Sequence, residues 1–214
     1  MAKRTMIRPL LLLLAVALCL SLAACGNETQ ASAIPSIEGE WYAAPITESL
    51  FLEASVENRV CHVDYSGGSV EFHPDGLMVN GDNVTYLKPL SLSKNATLYY
   101  YMGENGPAGF LTIISGKTAK VLPPQFIGRF LISDGKMTPF SNGEEVGWQI
   151  DEAGYKIVDG KLYIMYEGKY MPCETTFLGN DLFYCFLNID TLETTDGDDL
   201  GRPGYCFVRA SAIK

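Results

Sequence analysis

The sequence predicts an all-β domain of ordinary size. From Ile37 onward, short runs rich in Val, Ile, Tyr, Phe and Thr alternate with turn residues. The clearest turn signals are Pro74-Asp75-Gly76, Asn80-Gly81, Asp134-Gly135 and Asp159-Gly160. A helical pattern is confined to residues 47–54, where Thr47 is a candidate N-cap, and we expect a short helical plug or lid there. Regular turn spacing with so little helix indicates an antiparallel sheet architecture.

The N-terminus has the three parts of a secretory leader. Lys3, Arg4 and Arg8 give a positive start, residues 10–22 form an apolar stretch, and Ala23 and Ala24 are small. An apolar stretch of this length is too short to span a bilayer core of about 30 Å. We therefore predict that residues 1–24 are a signal peptide that is cleaved.

The end of this leader, Leu22-Ala23-Ala24-Cys25, resembles the lipobox of bacterial lipoproteins. The resemblance implies that Cys25 receives a diacylglyceryl group and a fatty acyl chain such as palmitate, and becomes the mature N-terminus. It places the protein on the extracytoplasmic face of a bacterial cell membrane, held by its lipid. The alternative is an ordinary secretory signal followed by an accidental cysteine.

Residues 25–36 are small and polar without an apolar period, which predicts a flexible tether before a domain at residues 37–212. The whole chain has a net charge of −9, and removal of the basic leader makes the remainder more acidic still. Such a surface argues against a nucleic-acid partner, because phosphate backbones require a basic face. It also argues against electrostatic docking on anionic lipid, so attachment to the membrane depends on the lipid anchor.

One hairpin can be predicted with its register. A two-residue turn at Asp159-Gly160 places Tyr155 opposite Ile164 and Ile157 opposite Leu162. Directly opposed residues share a face, so these apolar side chains and Tyr166 point one way while Lys156 and Lys161 point the other. The pattern indicates a half-buried antiparallel hairpin.

The first and last strands carry a signature. Gly39-x-Trp41 heads the first strand, and Arg209 ends the last apolar run, residues 205–209. Together these residues resemble the lipocalin and wider calycin group, and with the turn at residues 72–76 they resemble lipocalin-like envelope lipoproteins. The resemblance implies a closed barrel or a half-barrel in which Trp41 closes one end beneath Arg209. Residues 88–124 look inserted, which leaves barrel closure open, and a core tryptophan of another β-sandwich is the alternative.

Four cysteines remain in the folded part, namely Cys61, Cys173, Cys185 and Cys206. Cys185 and Cys206 lie in consecutive strand-like runs, so we favour a disulfide between them across a hairpin. Free buried thiols that behave as small apolar side chains are the alternative.

The function that this sequence favours is non-enzymatic binding of a small apolar ligand inside the barrel. Candidate lining residues are Tyr99, Tyr101, Phe110, Phe130, Tyr163 and Tyr184, although core packing explains these aromatics equally well. The alternative is a protein–protein interaction module of the cell envelope with a filled barrel interior.

We expect no catalytic residues, cofactor or metal site. Cys61 and His62 could suggest a nucleophile and base, but neighbouring strand residues point to opposite faces. The acidic residues Glu193, Asp196, Asp198 and Asp199 lack EF-hand spacing and are expected to be solvated.

Overall fold

The computed structural model describes residues 34–65, 68–104, 106–140, 153–189, 192–193 and 199–214. The strands in this part of the chain are β1 (Gly39–Thr47), β2 (Leu52–Glu57), β3 (Val60–Tyr65), β4 (Gly68–Phe72), β5 (Leu77–Asn80), β6 (Asn83–Tyr86), β7 (Lys88–Ser93), β8 (Ala96–Met102), β9 (Pro107–Ser115), β10 (Thr118–Leu122), β11 (Gly128–Ser133), β12 (Lys136–Phe140), β13 (Ala153–Val158), β14 (Lys161–Tyr166), β15 (Lys169–Leu178), β16 (Leu182–Leu187), β17 (Leu192–Glu193), β18 (Asp199–Gly201) and β19 (Pro203–Arg209). Two short 3-10 turns occur at Glu48–Leu50 and Ala210–Ala212. The predicted signal peptide, Cys25 and most of the predicted tether lie outside the described residues.

Eight strands form a closed antiparallel barrel in the order β1-β11-β12-β13-β14-β15-β16-β19. Among these eight, each strand pairs with the next along the chain, and β19 closes the circle by pairing with β1. This is the up-and-down arrangement, which leaves the barrel without a free edge. The prediction of an all-β, antiparallel barrel is confirmed.

The remaining long strands form a second sheet between the first two barrel strands. The chain leaves the barrel after β1, forms nine strands in the order β6-β5-β4-β3-β2-β10-β9-β8-β7, and returns at β11. This sheet curls into a nearly closed barrel of its own. The insertion therefore includes residues 48–127 and is much longer than the segment 88–124 that looked inserted in the sequence.

Three apolar cores hold these layers. The barrel interior contains Trp41, Phe183 and Phe207, and the second sheet encloses Val63, Phe72 and Tyr99. The third core joins the two sheets: outward residues of the barrel, such as Cys206 and Val208, pack there with Leu98 and Leu111. Strand alternation assigns successive residues of one barrel strand to different cores.

The hairpin predicted at Asp159-Gly160 is present with the predicted register. Tyr155 pairs with Ile164, and Ile157 pairs with Leu162. Asp159 and Gly160 have φ angles of 50° and 70°, as a type I′ turn requires. Ile157 lies at the hairpin tip and is exposed, whereas the other paired residues of this face are buried.

The short helix predicted at residues 47–54 is wrong. Thr47 ends β1, a single 3-10 turn follows at Glu48–Leu50, and β2 begins at Leu52. Thr47 makes no side-chain capping hydrogen bond to the turn. Ala54 and Val56 pack with the core of the second sheet, so a two-residue period on β2 outweighs the brief helical pattern.

Candidate binding site at the open end of the barrel

One end of the barrel is sealed by Trp41. The indole is only 1% exposed, and its Nε1–H donates a hydrogen bond of 2.7 Å to the carbonyl of Ile37. The ring of Phe183 meets it edge-on, with 5.1 Å between the ring centroids. The polar atom of the indole is satisfied, so a large aromatic group can occupy the barrel core without an unpaired donor.

Arg209 covers the outer side of this tryptophan. Its Cζ lies 4.1 Å from the centroid of the Trp41 ring. Its three guanidinium nitrogens donate to backbone carbonyls, with Nε 3.0 Å from Asn180 O, Nη1 3.1 Å from Glu38 O and Nη2 3.1 Å from Ser36 O. The contact that the lipocalin resemblance implies between Trp41 and Arg209 is therefore present.

Gly39 is required by the same arrangement. Its φ of 121° is a conformation that side chains rarely adopt, and a Cβ at this position would lie 3.0 Å from Arg209 Nη1. The three residues of the signature thus form one structural unit at the closed end.

Among the described residues, apolar side chains from the barrel strands pack into one core above this seal. The described residues also enclose a cavity of about 40 Å³, which is lined mainly by Phe130, Met137, Ile164, Leu187, Tyr205 and Phe207. This volume exceeds the 10–15 Å³ that a water needs, but it is far below the roughly 150 Å³ of an engineered cavity that holds benzene.

An apolar cleft lies at the opposite, open end. Its volume is about 210 Å³, and its walls include Ile46, Leu50, Tyr166, Leu187, Pro203 and Tyr205. Leu50 is 40% exposed and Tyr166 is 37% exposed. The cleft is smaller than the roughly 300–1,000 Å³ of pockets for drug-sized ligands, so it suits a group the size of one or two side chains.

An ion network lies next to this cleft, because Glu48 follows Thr47 and Arg202 precedes Pro203 in the chain. Arg202 Nη2 lies 2.6 Å from Glu48 Oε1 and 2.7 Å from Glu174 Oε2, and the Arg202 backbone N–H donates to Glu48 Oε2 at 2.9 Å. Hydrogen bonds from the Arg202 side chain hold the pKa of Glu48 below its ordinary value, and Glu48 in turn raises the pKa of Arg202. Because Glu48 begins the 3-10 turn that carries Leu50, the network positions Leu50 at the cleft.

The structure places one of the six predicted lining aromatics, Phe130, beside the interior cavity. The other five line neither the interior cavity nor the cleft. Tyr99 and Phe110 pack against Phe72 in the second sheet, with ring centroids 6.0 and 4.7 Å away, and Tyr101 is half exposed on that sheet.

Tyr163 and Tyr184 belong to the barrel but point away from its interior. Tyr163 pairs with Lys156 on the outer face, and the Lys156 ammonium lies 5.4 Å from its ring. Tyr184 packs against Phe51 at 5.4 Å between centroids, on the face that meets the second sheet. An inserted sheet gives aromatics a third environment, which a barrel prediction does not include.

The predicted disulfide between Cys185 and Cys206 is also wrong. Cys185 lies opposite Tyr205, and Cys206 lies opposite Tyr184, so the two cysteines point to opposite faces of the β16–β19 pair. Cys185 belongs to the barrel core and Cys206 to the core between the sheets. A one-residue offset in register is enough to separate the two thiols.

Cys61 and His62 do lie on opposite faces of β3. Cys61 is buried in the second sheet, where desolvation raises the pKa of its thiol to about 11. His62 Nδ1 lies 3.4 Å from Glu71 Oε1 on the other face. A thiol with a raised pKa and without an adjacent base is a poor nucleophile.

No family model matches the chain, and no curated protein and no solved structure is significantly similar to it. Within the residues that the structure describes, no helix has the length and hydropathy to cross a bilayer. In the same part of the chain, no group of three or more His, Cys, Asp and Glu side chains is arranged to hold a metal ion.

Sequence reasoning missed the cleft itself. Its walls come from the end of β1, the turn at Glu48–Leu50, the ends of β14 and β16 and the start of β19. The hairpin register did contain one signal, because it placed Tyr166 on the interior face at the end where β14 finishes. The other walls come from pairings between segments far apart in the sequence.

Proposed function

We propose that this protein is a non-enzymatic binding lipoprotein of a bacterial cell envelope, anchored on the extracytoplasmic face of a membrane by lipid on Cys25. The lipobox-like run at residues 22–25 and the polar segment after it support the anchor. A flexible tether of that length spans about 20 Å by random-coil scaling, so the folded unit can reach neighbouring envelope proteins. Two or more acyl chains are needed for stable attachment, because one chain gives only marginal binding.

Replacement of Cys25 by Ala tests the anchor. We expect the Cys25→Ala chain to be released from sedimented membranes, while Cys19→Ala, which lies inside the leader, leaves the protein bound. Mass spectrometry of the mature protein should find a fatty-acylated Cys25 at the N-terminus. A different or unacylated N-terminus would contradict the anchor.

The partner that we propose is another envelope protein, which inserts one or two apolar side chains into the cleft at the open end. The observation that carries this proposal is the apolar cleft at the mouth of the barrel, which among the described residues is larger than the cavity in the interior. The cleft has tyrosine, proline and leucine walls and lies next to an ion network. An apolar centre with a polar border is the usual composition of a protein–protein interface. The proposal follows the alternative that the sequence left open.

A small apolar ligand is the second candidate. The cleft and the interior cavity share Tyr166, Leu187 and Tyr205, so these side chains separate the two spaces. Movement of these three residues would enlarge the site toward the barrel interior.

Photo-crosslinking in the cells that make the protein distinguishes the two candidates. A photoreactive phenylalanine analogue is placed at Thr47, on the cleft wall. We expect a discrete, protease-sensitive adduct that disappears when Leu50 is replaced by Glu. The matched control is Leu131→Glu, because Leu131 is 36% exposed on the outer face of β11, away from the cleft.

The proposal is supported only if the adduct depends on Leu50. Crosslinking to a protein is not sufficient support by itself. An adduct that survives Leu50→Glu, or that Leu131→Glu removes equally, would contradict docking in the cleft. An adduct of small-molecule mass would favour the second candidate.

A further inference from the structure

Two cysteines that the sequence did not pair face each other inside the barrel. In the β15–β16 pair, Thr175 lies opposite Cys185 and Cys173 lies opposite Leu187. Opposed residues share a face, and so do residues two apart on one strand, so Cys173 and Cys185 are diagonal neighbours on the interior face. Both belong to the barrel core.

The two thiols interact directly. The neighbouring Cys185 thiol lowers the pKa of Cys173, whereas the Cys173 thiol, together with burial, raises the pKa of Cys185. Cys173 is 9% exposed and Cys185 is fully buried. The more accessible thiol is therefore also the one that ionises more readily, which is the property of an attacking cysteine.

We propose that Cys173 and Cys185 form an intramolecular disulfide between β15 and β16 when the protein meets an organic disulfide as oxidant. The proposal rests on the location outside the cytoplasm put forward under Proposed function, because disulfides form and persist in such oxidising compartments.

The disulfide would form by thiol–disulfide exchange with the oxidant in two steps. The Cys173 thiolate attacks one sulfur of the oxidant, which forms a mixed disulfide and releases the first thiolate of the oxidant. Cys185 then loses its proton and attacks the Cys173 sulfur, which releases the second thiolate. The protein loses two hydrogen atoms as two protons and two electrons, and the oxidant gains them as two thiols.

The other two cysteines are separated from this pair by the sheets themselves. Cys61 lies in the core of the second sheet, and Cys206 lies in the core between the two sheets. The interior face of the barrel holds Cys173 and Cys185 among the described cysteines. All four are free thiols in the structure, and Cys173 and Cys185 are the described pair that shares one core.

The bond would lie beneath the cleft. Leu187, opposite Cys173, and Tyr205, opposite Cys185, both line the cleft and the interior cavity. A covalent link between β15 and β16 at this level would hold the floor of the site in place.

The positions of the glutamates allow the disulfide to be assigned directly by mass spectrometry of proteolytic peptides. An endoproteinase that cleaves after Glu separates the cysteines into residues 58–71 with Cys61, 168–174 with Cys173, 175–193 with Cys185 and 194–214 with Cys206. The full lipid-anchored chain is acid-quenched in the cells, alkylated under denaturing conditions, extracted with detergent and digested without reductant. We expect residues 168–174 to be joined to residues 175–193, two hydrogen atoms lighter than the two separate thiol peptides, with Cys61 and Cys206 alkylated.

A second experiment tests whether the disulfide can form, independently of where the protein is located in the cell. The purified, reduced protein is incubated with oxidised glutathione and mapped in the same way. The Cys61→Ser/Cys206→Ser variant should still form the link, and in Cys173→Ser the peptide with Cys185 should be alkylated. If that last variant does not fold, the double variant alone supplies the test.

The outcomes are distinct. Separate alkylated peptides after treatment with oxidised glutathione, or residues 175–193 joined to residues 194–214, would overturn the proposed disulfide. A link that forms with oxidised glutathione but is absent from cells would support the disulfide and contradict the proposed extracytoplasmic location.

Discussion

Both ends of the barrel contain an arginine with several polar contacts, but the two arginines have different surroundings. At the closed end, an arginine donates to three backbone carbonyls and covers a tryptophan, so each of these polar contacts strengthens the seal. At the open end, another arginine, Arg202, pairs with two carboxylates at the rim and leaves apolar walls accessible beside it. The closed end therefore holds a buried tryptophan beneath a fully hydrogen-bonded arginine, whereas the open end leaves apolar side chains accessible to a partner.

The largest expected effect is the loss of the seal. Replacement of Trp41 by Ala should lower the free energy of unfolding by about 3–5 kcal/mol, because a fully buried aromatic leaves a cavity. The matched change at the open end, Tyr166→Ala, should cost about 1 kcal/mol or less, because this side chain is partly exposed. Chemical denaturation measures both, and a loss below about 1 kcal/mol for Trp41→Ala would contradict its closing role.

A smaller effect is expected from Arg209→Lys. Lysine keeps the charge but cannot reproduce the three directed donations of the guanidinium, so we expect a loss of about 1–2 kcal/mol. Arg129→Lys is the control, because Arg129 pairs with Glu40 on the exposed surface, and such pairs contribute about 1 kcal/mol or less. Equal unfolding midpoints for the two variants would contradict a larger stabilising contribution from the hydrogen bonds of Arg209 to the carbonyls.

The smallest effect concerns the open-end rim. The folded-state pKa of Glu48 is below its ordinary value of 4.5, so its pairing with Arg202 stabilises the fold above that pH. This contribution is lost as the pH falls through the lowered pKa, and because the pair is partly solvated we expect less than about 1 kcal/mol.

Thermal unfolding of wild type and Glu48→Gln at neutral and acid pH measures the contribution of the Glu48–Arg202 pair to stability. The gap between the two proteins should be present at pH 7 and should close at low pH. A gap that stays constant with pH would contradict the ion pair. The control Glu53→Gln disrupts the exposed contact of Glu53 with Lys120, 3.6 Å away, and should leave stability nearly unchanged.

The features that the sequence predicted well are those that local chemistry dictates. The Asp159-Gly160 turn fixes its own register, because both residues must adopt positive φ angles and their neighbours then pair in order. Gly39, Trp41 and Arg209 meet because β1 and β19 pair directly, with Trp41 opposite Arg209. The Asp159-Gly160 turn can be predicted from its own residues, whereas the contact of Trp41 with Arg209 was implied by the resemblance to the lipocalin and calycin group.

The inserted sheet and the cleft depend on longer-range pairing. β1 pairs with β11 across an insertion that includes residues 48–127, and no residue in β1 indicates that the next barrel strand is so distant. The sequence predicted Tyr184 as a lining residue and Cys206 as part of a strand-like run, but it did not show that both face a second sheet instead of the barrel interior. Burial can be predicted from the pattern of one strand, whereas the choice of core depends on what covers each face.

Titration with indole, as a mimic of an apolar side chain, tests the contrast between the two ends most directly. Amide NMR of the folded protein should show shifts at the cleft residues Leu50, Tyr166 and Tyr205, and unchanged signals for Trp41 and Phe183 at the sealed end. Shifts at Trp41 and Phe183, or no shift at the cleft, would contradict an account in which the barrel is sealed at one end and binds at its mouth.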